Sequence, residues 1–452
     1  MSQQATLTIP ELRDQILADL LARYTFVFTV DKTLWVYNAS EGIYEPNGEM
    51  LVKTEVEKAM GLDYRKQDYA EILDRVEAKT YRNDMLNPNE DHVCVENGVL
   101  NLLYFTSEPD VQEQFHPLKP WSQVFELNQK LPIEYNPEAT CPLIEKFFHE
   151  VLKSEQDVQA MYEWFGYHFL VGQKMQKASL WIGIGKNGKT VMGNLLKAFV
   201  GKENLINLTL EQICNDREAS PTLYGKMASV GSEIQKAMLK DVVIFQKLVG
   251  EDRISARHHH QRYFEFENSA KLTFYGNKTP QTQNLDSEFA FYRRFLIFEF
   301  PNIFHGEKED KELIYKLTSD EELSGLLNKA LEGLARLLKN GKFSNEQPWE
   351  LIKEQYLILS DIEHAFIDLE IENVEDSFET TETVYVAYKE FCKKHDKQPC
   401  TKNTLTIRVQ QYANARVEFR KINKETIRVY SGICLKNKPI EKPTEQQTLV
   451  SP

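Results

Sequence analysis

The stretch GIGKNGKT, residues 183–190, decides the fold prediction, since it matches the phosphate-binding loop pattern G-x-x-x-x-G-K-[ST] at every defined position. The apolar run ASLWI (178–182) precedes this loop, and the apolar segment VMGNLLKAFV (191–200) follows it. Glycines let the loop turn so that its N–H groups converge on phosphate oxygens at the positive amino end of the next helix. The sequence therefore predicts a strand, a phosphate-binding loop and a helix, with a purely structural glycine turn as the alternative.

The loop predicts a site for ATP and Mg²⁺. The Lys189 ammonium would reach the β- and γ-phosphates, and the Thr190 hydroxyl would coordinate the metal ion. We therefore expect the nucleotide to be bound by Gly183, Gly185, Lys186, Asn187, Gly188, Lys189 and Thr190.

A carboxylate is expected at the end of a neighbouring strand, where it would hold the metal's water and activate the attacking water. Glu233 follows the apolar run 227–230 and is the candidate, so Thr190 and Glu233 form the predicted metal site. Ser232 stands where many enzymes with this loop carry Asp. The alternative for Glu233 is a solvent-facing residue on an edge strand.

Three more polar residues flank later apolar runs. Asn277 follows KLTFYG (271–276), where its amide would donate to the γ-phosphate, although Gly-Asn is also a common turn dipeptide. Arg293 and Arg294 precede FLIFEF (295–300). Two guanidiniums are not expected inside a core, so we expect them either to be solvated or to contact a phosphate.

A hairpin is predicted between Glu233 and Asn277, because two alternating segments flank a short polar stretch. The tip would present Arg257, His258, His259 and His260 to phosphates. A shared metal ion is disfavoured, because neighbouring strand residues point to opposite faces. The alternative is an inert surface hairpin.

The strands and helices alternate between residues 178 and 300, which predicts an α/β fold. A chain of 452 residues has room for about three domains. The predicted organisation is an α+β N-terminal accessory domain (1–172), an ATPase core (173–308), a helical linker or lid (309–370), a winged helix (371–440) and a disordered tail (441–452).

The charge distribution singles out the C-terminal module. The chain carries a net charge of −14, yet residues 381–440 hold 13 Lys/Arg and five Asp/Glu. Their order of helix, helix, strand, strand suits a winged helix. DNA would then contact Lys402 and Arg408 on the second helix, and Arg420, Lys421, Lys424 and Arg428 on the wing. EIENVEDSFE (370–379) is predicted to be an acidic linker, and a protein-interaction domain is the alternative for the module.

The sequence favours a cytoplasmic protein without membrane contact. It begins without an export signal, and its apolar runs are far shorter than the roughly 18 residues of a membrane span. The six cysteines, spread along such a chain, are expected to be reduced.

Taken in order, these motifs resemble a superfamily three helicase of the poxvirus and phage/plasmid primase-helicase type. The resemblance rests on GIGKNGKT, SEI (232–234), LVGEDRISAR (248–257), KLTFYGNKTP (271–280) and YRRFLIFEFP (292–301), and it covers roughly residues 90–310.

The resemblance implies an AAA+-like ATPase of a mobile element, assembled as a homo-hexameric ring that translocates on single-stranded DNA and opens forked DNA. Lys189 and Thr190 would bind MgATP, Glu233 would activate water, and Asn277 would be the sensor. Arg294, or alternatively Arg293, would be the arginine finger, and the segment Arg257–His260 would line the channel. Relatives often carry a primase domain before the helicase, but the residues before the loop contain no Asp-x-Asp strand for polymerase metals, so any primase activity would have to come from another chain. A separate primase or a replication initiator is therefore an expected partner. The rival function is a replication initiator or scaffold whose ATP turnover switches its assembly.

Overall fold

The computed structural model describes residues 8–84, 86, 90–232, 238–257, 264–282, 288–304, 310, 312–422 and 425–436. The chain forms two compact units. The first comprises Met1–Asn277 and Asn284–Gln347, and the second comprises Lys278–Gln283 and Pro348–Pro452. All six cysteines are free thiols. Among the helices of the described ranges, none combines the length and the apolar composition that a bilayer crossing requires.

The first unit begins with two small antiparallel sheets and the helices that pack beside them. Its first elements are α1 (Ile9–Arg23), β1 (Phe26–Phe28), β2 (Leu34–Asn38), β3 (Ile43–Glu45), α2 (Gly48–Met60) and α3 (Lys66–Thr80). The next are β4 (His92–Val95), β5 (Gly98–Asn101), α4 (Leu102–Thr106), α5 (Pro109–Gln112), β6 (Leu118–Lys119), α6 (Pro142–Val151) and α7 (Glu155–Tyr167).

The next elements are β7 (Ala178–Ile182), α8 (Lys189–Val200), β8 (Leu205–Ile206), α9 (Leu210–Asn215), β9 (Ala228–Ser232), α10 (Val242–Val249), β10 (Arg253–Ala256), β11 (Phe264–Glu267), β12 (Lys271–Gly276), α11 (Glu288–Tyr292) and β13 (Phe295–Glu299). Five of these strands form a parallel sheet in the order β13-β7-β12-β9-β8. Strands β7, β12 and β13 are buried along almost their whole length, as expected for a sheet covered on both faces. The predicted α/β organisation is therefore confirmed.

Two more helices, α12 (Leu313–Leu317) and α13 (Asp320–Asn340), complete the first unit. Gly341 ends α13 with a φ of 66°, a backbone conformation that glycine adopts without strain. Helix α13 shares one apolar core with α6, α7, α8 and the parallel sheet.

Helices α7 and α13 approach each other at glycines. A Cβ at Gly166 would lie 2.2 Å from the Ala330 oxygen, and a Cβ at Gly333 would lie 2.7 Å from the Tyr162 oxygen. Beside this crossing, the fully buried carboxylate of Glu163 accepts from Arg336 Nε at 2.6 Å. These contacts fix α7 against α13 and, through the shared core, support the sheet.

The second unit contains α14 (Trp349–Ser360), α15 (Ile362–Glu370), β14 (Ile371–Thr380), α16 (Thr381–Lys394), α17 (Lys402–Tyr412), β15 (Arg416–Ile422) and β16 (Glu425–Leu435). The predicted order of helix, helix, strand, strand is confirmed by the last four elements. The prediction of an acidic linker is wrong, because most of that segment forms β14. This strand pairs with β16 and completes a three-stranded antiparallel sheet in the order β14-β16-β15.

We predict that Gly333→Ala destabilises the protein by about 1–3 kcal/mol, because a methyl group would be forced into backbone atoms of α7. The sign is informative, since alanine is otherwise favoured over glycine in a helix by about 1 kcal/mol. Urea denaturation would measure the change. Glu332→Ala, at the exposed neighbouring position, is the matched control. A more stable Gly333→Ala protein would contradict the close approach of the two helices.

Candidate functional site

The glycine-rich loop connects the carboxyl end of β7 to the amino end of α8. Gly185, Lys186 and Gly188 have φ values of 103°, 49° and 88°, so glycine relieves strain at two of these three positions. At Gly183 the constraint is space, because a Cβ there would lie 2.0 Å from Asn187 Nδ2. The loop thus turns tightly onto the start of α8, where helical N–H groups favour an anion.

The loop is fixed to the chain that follows β13. Asn187 is 2% exposed, and its Nδ2 donates to the Phe300 oxygen at 3.1 Å. The Phe304 N–H donates to the Lys186 oxygen at 2.8 Å. The motif gave no signal for these two bonds, which join residues more than a hundred positions apart.

Lys189 is the first residue of α8 and is only 5% exposed. Its ammonium donates to the Gly183 oxygen at 2.8 Å, to Asn187 Oδ1 at 2.9 Å and to Asn277 Oδ1 at 3.3 Å. Burial lowers the pKa of Lys189 to about 8. These three acceptors are neutral, so an anionic phosphate would stabilise the ammonium more than they do.

The polar residues predicted at strand ends share one edge of the sheet. Ile182 pairs with Gly276, and Ser232 pairs with Tyr275, so the chain leaves β7, β12 and β9 side by side. Asn277 follows β12 at this edge and is exposed, as is Thr190 in the first turn of α8. Glu233 follows Ser232 directly but lies outside the described residues, so the geometry of the predicted metal site stays a prediction.

Arg293 and Arg294 lie at the opposite edge of the sheet. Their carbonyl oxygens accept from Lys177 Nζ and from the Ala178 N–H, each at 2.7 Å, beside the amino end of β7. Arg293 is half-buried, and its Nη2 donates to Gln176 Oε1 at 2.8 Å.

The expectation that neither guanidinium enters the core was wrong for Arg294, which is 8% exposed. Its Nε donates to the Gln246 oxygen at 3.1 Å, and its Nη1 donates to the Ala290 oxygen. Burial, followed by the neighbouring charge of Arg293, lowers the pKa of Arg294 to about 10. Backbone carbonyls thus satisfy this buried cation.

The predicted hairpin strands are confirmed as the antiparallel pair β10 and β11, with Ala256 opposite Phe264. Arg257 is exposed at the end of β10. His258, His259 and His260 lie outside the described residues, so their contact with DNA stays a prediction.

In the second unit the candidate DNA-binding residues differ in their surroundings. Lys402 donates to Glu382 at 2.5 Å, and Arg408 lies 3.6 Å from Asp361, so both helix cations are paired within the chain. Lys421 is exposed on β15. Lys424 lies outside the described residues.

A family model described as a family of unknown function, DUF5906, matches residues 181–294. This range contains the loop, Glu233, Asn277 and both arginines. No curated protein matches the chain.

Among solved structures, the chain is similar to an A-form apo structure of the NrS-1 C-terminal region, with 12% identity and a TM-score of 0.42 over 92% of this chain and 98% of that one. Two further apo structures of that region give 11% identity, a TM-score of 0.46 and the same coverage. With TM-scores below 0.5, these similarities establish neither the fold nor the activity of the chain.

Proposed function

We propose that the protein is an ATP-dependent DNA helicase of a mobile element, whose subunits form a ring around single-stranded DNA and share ATP sites. The observation that carries this proposal is the position of Lys189, whose buried ammonium lies between the glycine-rich loop and Asn277. A phosphate-binding loop beside a polar strand end is the arrangement with which one large class of enzymes binds and hydrolyses nucleoside triphosphates.

The nucleotide would bind at the carboxyl edge of the parallel sheet. Lys189 would contact the β- and γ-phosphates, and Asn277 would orient the attacking water. Thr190 and Glu233 would hold Mg²⁺, which neutralises charge on the phosphates when bound. The exposed position of Thr190 leaves its hydroxyl accessible to such an ion.

The arginines support a site shared between subunits. The loop follows the carboxyl end of β7, whereas Arg293 and Arg294 lie beside its amino end. The five residues of β7 make the distance between these two edges of the sheet about 15 Å, at the usual rise per strand residue. An arginine cannot span that distance to phosphates in its own chain. It would instead complete the site of a neighbouring subunit, as an arginine finger supplied in trans does. Arg293 is the more exposed candidate, whereas Arg294 would first have to leave two carbonyls.

The second unit would contact DNA as a winged helix. Helices α16 and α17 are followed by the β15–β16 hairpin, which is the order of elements in that fold. The exposed Lys421 would contact phosphates from the hairpin. Lys402 and Arg408 would do so only after exchanging Glu382 and Asp361 for phosphate.

We predict that ATP affinity falls as the pH is raised above about 8. The pKa of Lys189 is about 8 without nucleotide, and bound phosphate would raise it, so the bound state holds more protons in this range. The dissociation constant should therefore increase by up to about tenfold per pH unit. Titration of a fluorescent ATP analogue between pH 7 and 9.5 would measure it. Lys189→Arg, which stays charged, should bind with a flat profile; a flat wild-type profile would contradict Lys189 as a phosphate ligand.

Mixing inactive variants tests the shared site. Lys189→Ala removes the phosphate ligand and Arg293→Ala removes the trans guanidinium, so each alone should lose most ATPase activity, by about 10³-fold or more for the arginine. Their mixture should regain activity, because some interfaces then combine two intact halves. Arg294→Lys is assayed alone and mixed with Lys189→Ala in the same way, and the arginine whose variant is inactive alone and recovers in the mixture is the finger. Arg217→Ala is the control for loss of an exposed guanidinium. Failure of every mixture to recover would contradict subunit sharing.

Strand separation distinguishes the helicase from the initiator. The purified chain with ATP and Mg²⁺ should unwind a forked duplex, and the Lys189→Ala protein should not. ATP-dependent assembly on DNA without unwinding would instead establish the ATP-switched initiator or scaffold.

A further inference from the structure

The β15–β16 hairpin exposes an aromatic ring among cations. Phe419 on β15 is 71% exposed. Arg428 lies directly opposite it on β16, and Lys421 lies two residues further along the same face of β15. All three side chains are exposed, so the outer part of this hairpin presents a ring flanked by two positive charges.

The other face of the same sheet has a different arrangement. There the guanidinium of Arg420 lies 4.7 Å from the centroid of the Phe378 ring, and its Nη2 donates to Ser431 Oγ at 3.1 Å. Phe378 is 40% exposed and is partly covered by this cation. The chain thus contains two partly exposed rings on one sheet, of which Phe378 already stacks on a side chain of its own unit.

The charges of this sheet are separated by strand. The edge strand β14 carries Glu372, Glu375, Asp376 and Glu379 and no Lys or Arg. The opposite edge strand β15 carries three cations and one carboxylate. Because β16 lies between them, a polyanion would be attracted to the β15 edge and repelled from the β14 edge.

We propose that the hairpin binds single-stranded DNA by stacking an unpaired base on Phe419, while Lys421 and Arg428 contact the flanking phosphates. A phenyl ring gains nothing from a phosphate, whereas every base offers it a π-face. In an intact duplex the faces of internal bases are covered by their neighbours, so the ligand is unpaired DNA. The inference deepens the proposed function and rests on it for DNA as the polyanion.

The test measures binding of the 452-residue chain, without nucleotide, to a fluorescein-labelled single-stranded oligonucleotide by anisotropy. Phe419→Ala should weaken binding about tenfold, or about 1.4 kcal/mol, and Phe419→Trp should restore it. Phe378→Ala, which removes the ring covered by Arg420, is the matched control and should bind as the wild type does.

An oligonucleotide with abasic sites separates stacking from charge, because it keeps the phosphates and lacks the bases. Wild type and Phe419→Ala should bind it equally, with an affinity close to that of Phe419→Ala for the intact strand. Lys421→Gln should instead weaken binding to both strands and reduce the slope of log affinity against log salt by about 0.7.

Two outcomes would overturn the inference. If Phe419→Ala binds the intact strand as tightly as wild type, the ring does not contact bases. If Phe419→Ala weakens binding to the intact and abasic strands by the same factor, the substitution alters the structure of the hairpin and does not remove a stacking contact. Since Phe419 is exposed, unchanged thermal unfolding would confirm that the variant folds. A chain that shows the Phe419 effect but fails to unwind DNA would contradict the helicase and leave this inference intact.

Discussion

The buried ammonium of Lys189 is the interaction on which the candidate site depends. A cation taken out of water needs acceptors around it, and here two come from the loop itself and one from the residue after β12. The loop and the neighbouring strand are thereby held together around one charge. An arriving phosphate would compete for that charge with Asn277, whose 3.3 Å contact is the longest of the three. A phosphate bound at the loop would therefore weaken the bond between Lys189 and Asn277.

The parallel sheet explains why these groups meet. Parallel pairing brings the carboxyl ends of β7, β9 and β12 to one edge, so residues separated by long stretches of sequence become neighbours. The same pairing leaves Arg293 and Arg294 at the amino edge, beside Ala178. If either guanidinium acts on a phosphate at such a loop, that loop has to belong to another chain. Strand direction thus leads to the proposal of a shared site.

Sequence predicted the parts of this structure that are local. The loop has fixed glycine spacing, and α8, α10, β12 and β13 have strong apolar patterns, so they could be recognised. The Asn187–Phe300 bond could not, because it joins positions whose proximity exists only after the sheet forms. The burial of Arg294 also depends on distant carbonyls. Strand β14 was missed because its polar sequence has little strand propensity; pairing with β16 stabilises it, and a register shift between Asn373 and Phe378 accommodates the acidic residues.

Asn277, which accepts a hydrogen bond from Lys189, is joined by a peptide bond to the second unit. Asn277 is the last residue of the first unit before Lys278–Gln283, which belongs to the second. In that segment the fully buried Thr279 donates to the Tyr356 oxygen at 2.9 Å, and Gln281 donates to Asp361 at 3.1 Å. These bonds anchor the segment to α14 and to the N-cap of α15. The residue that accepts from Lys189 is therefore followed directly by a segment whose own hydrogen bonds belong to the second unit.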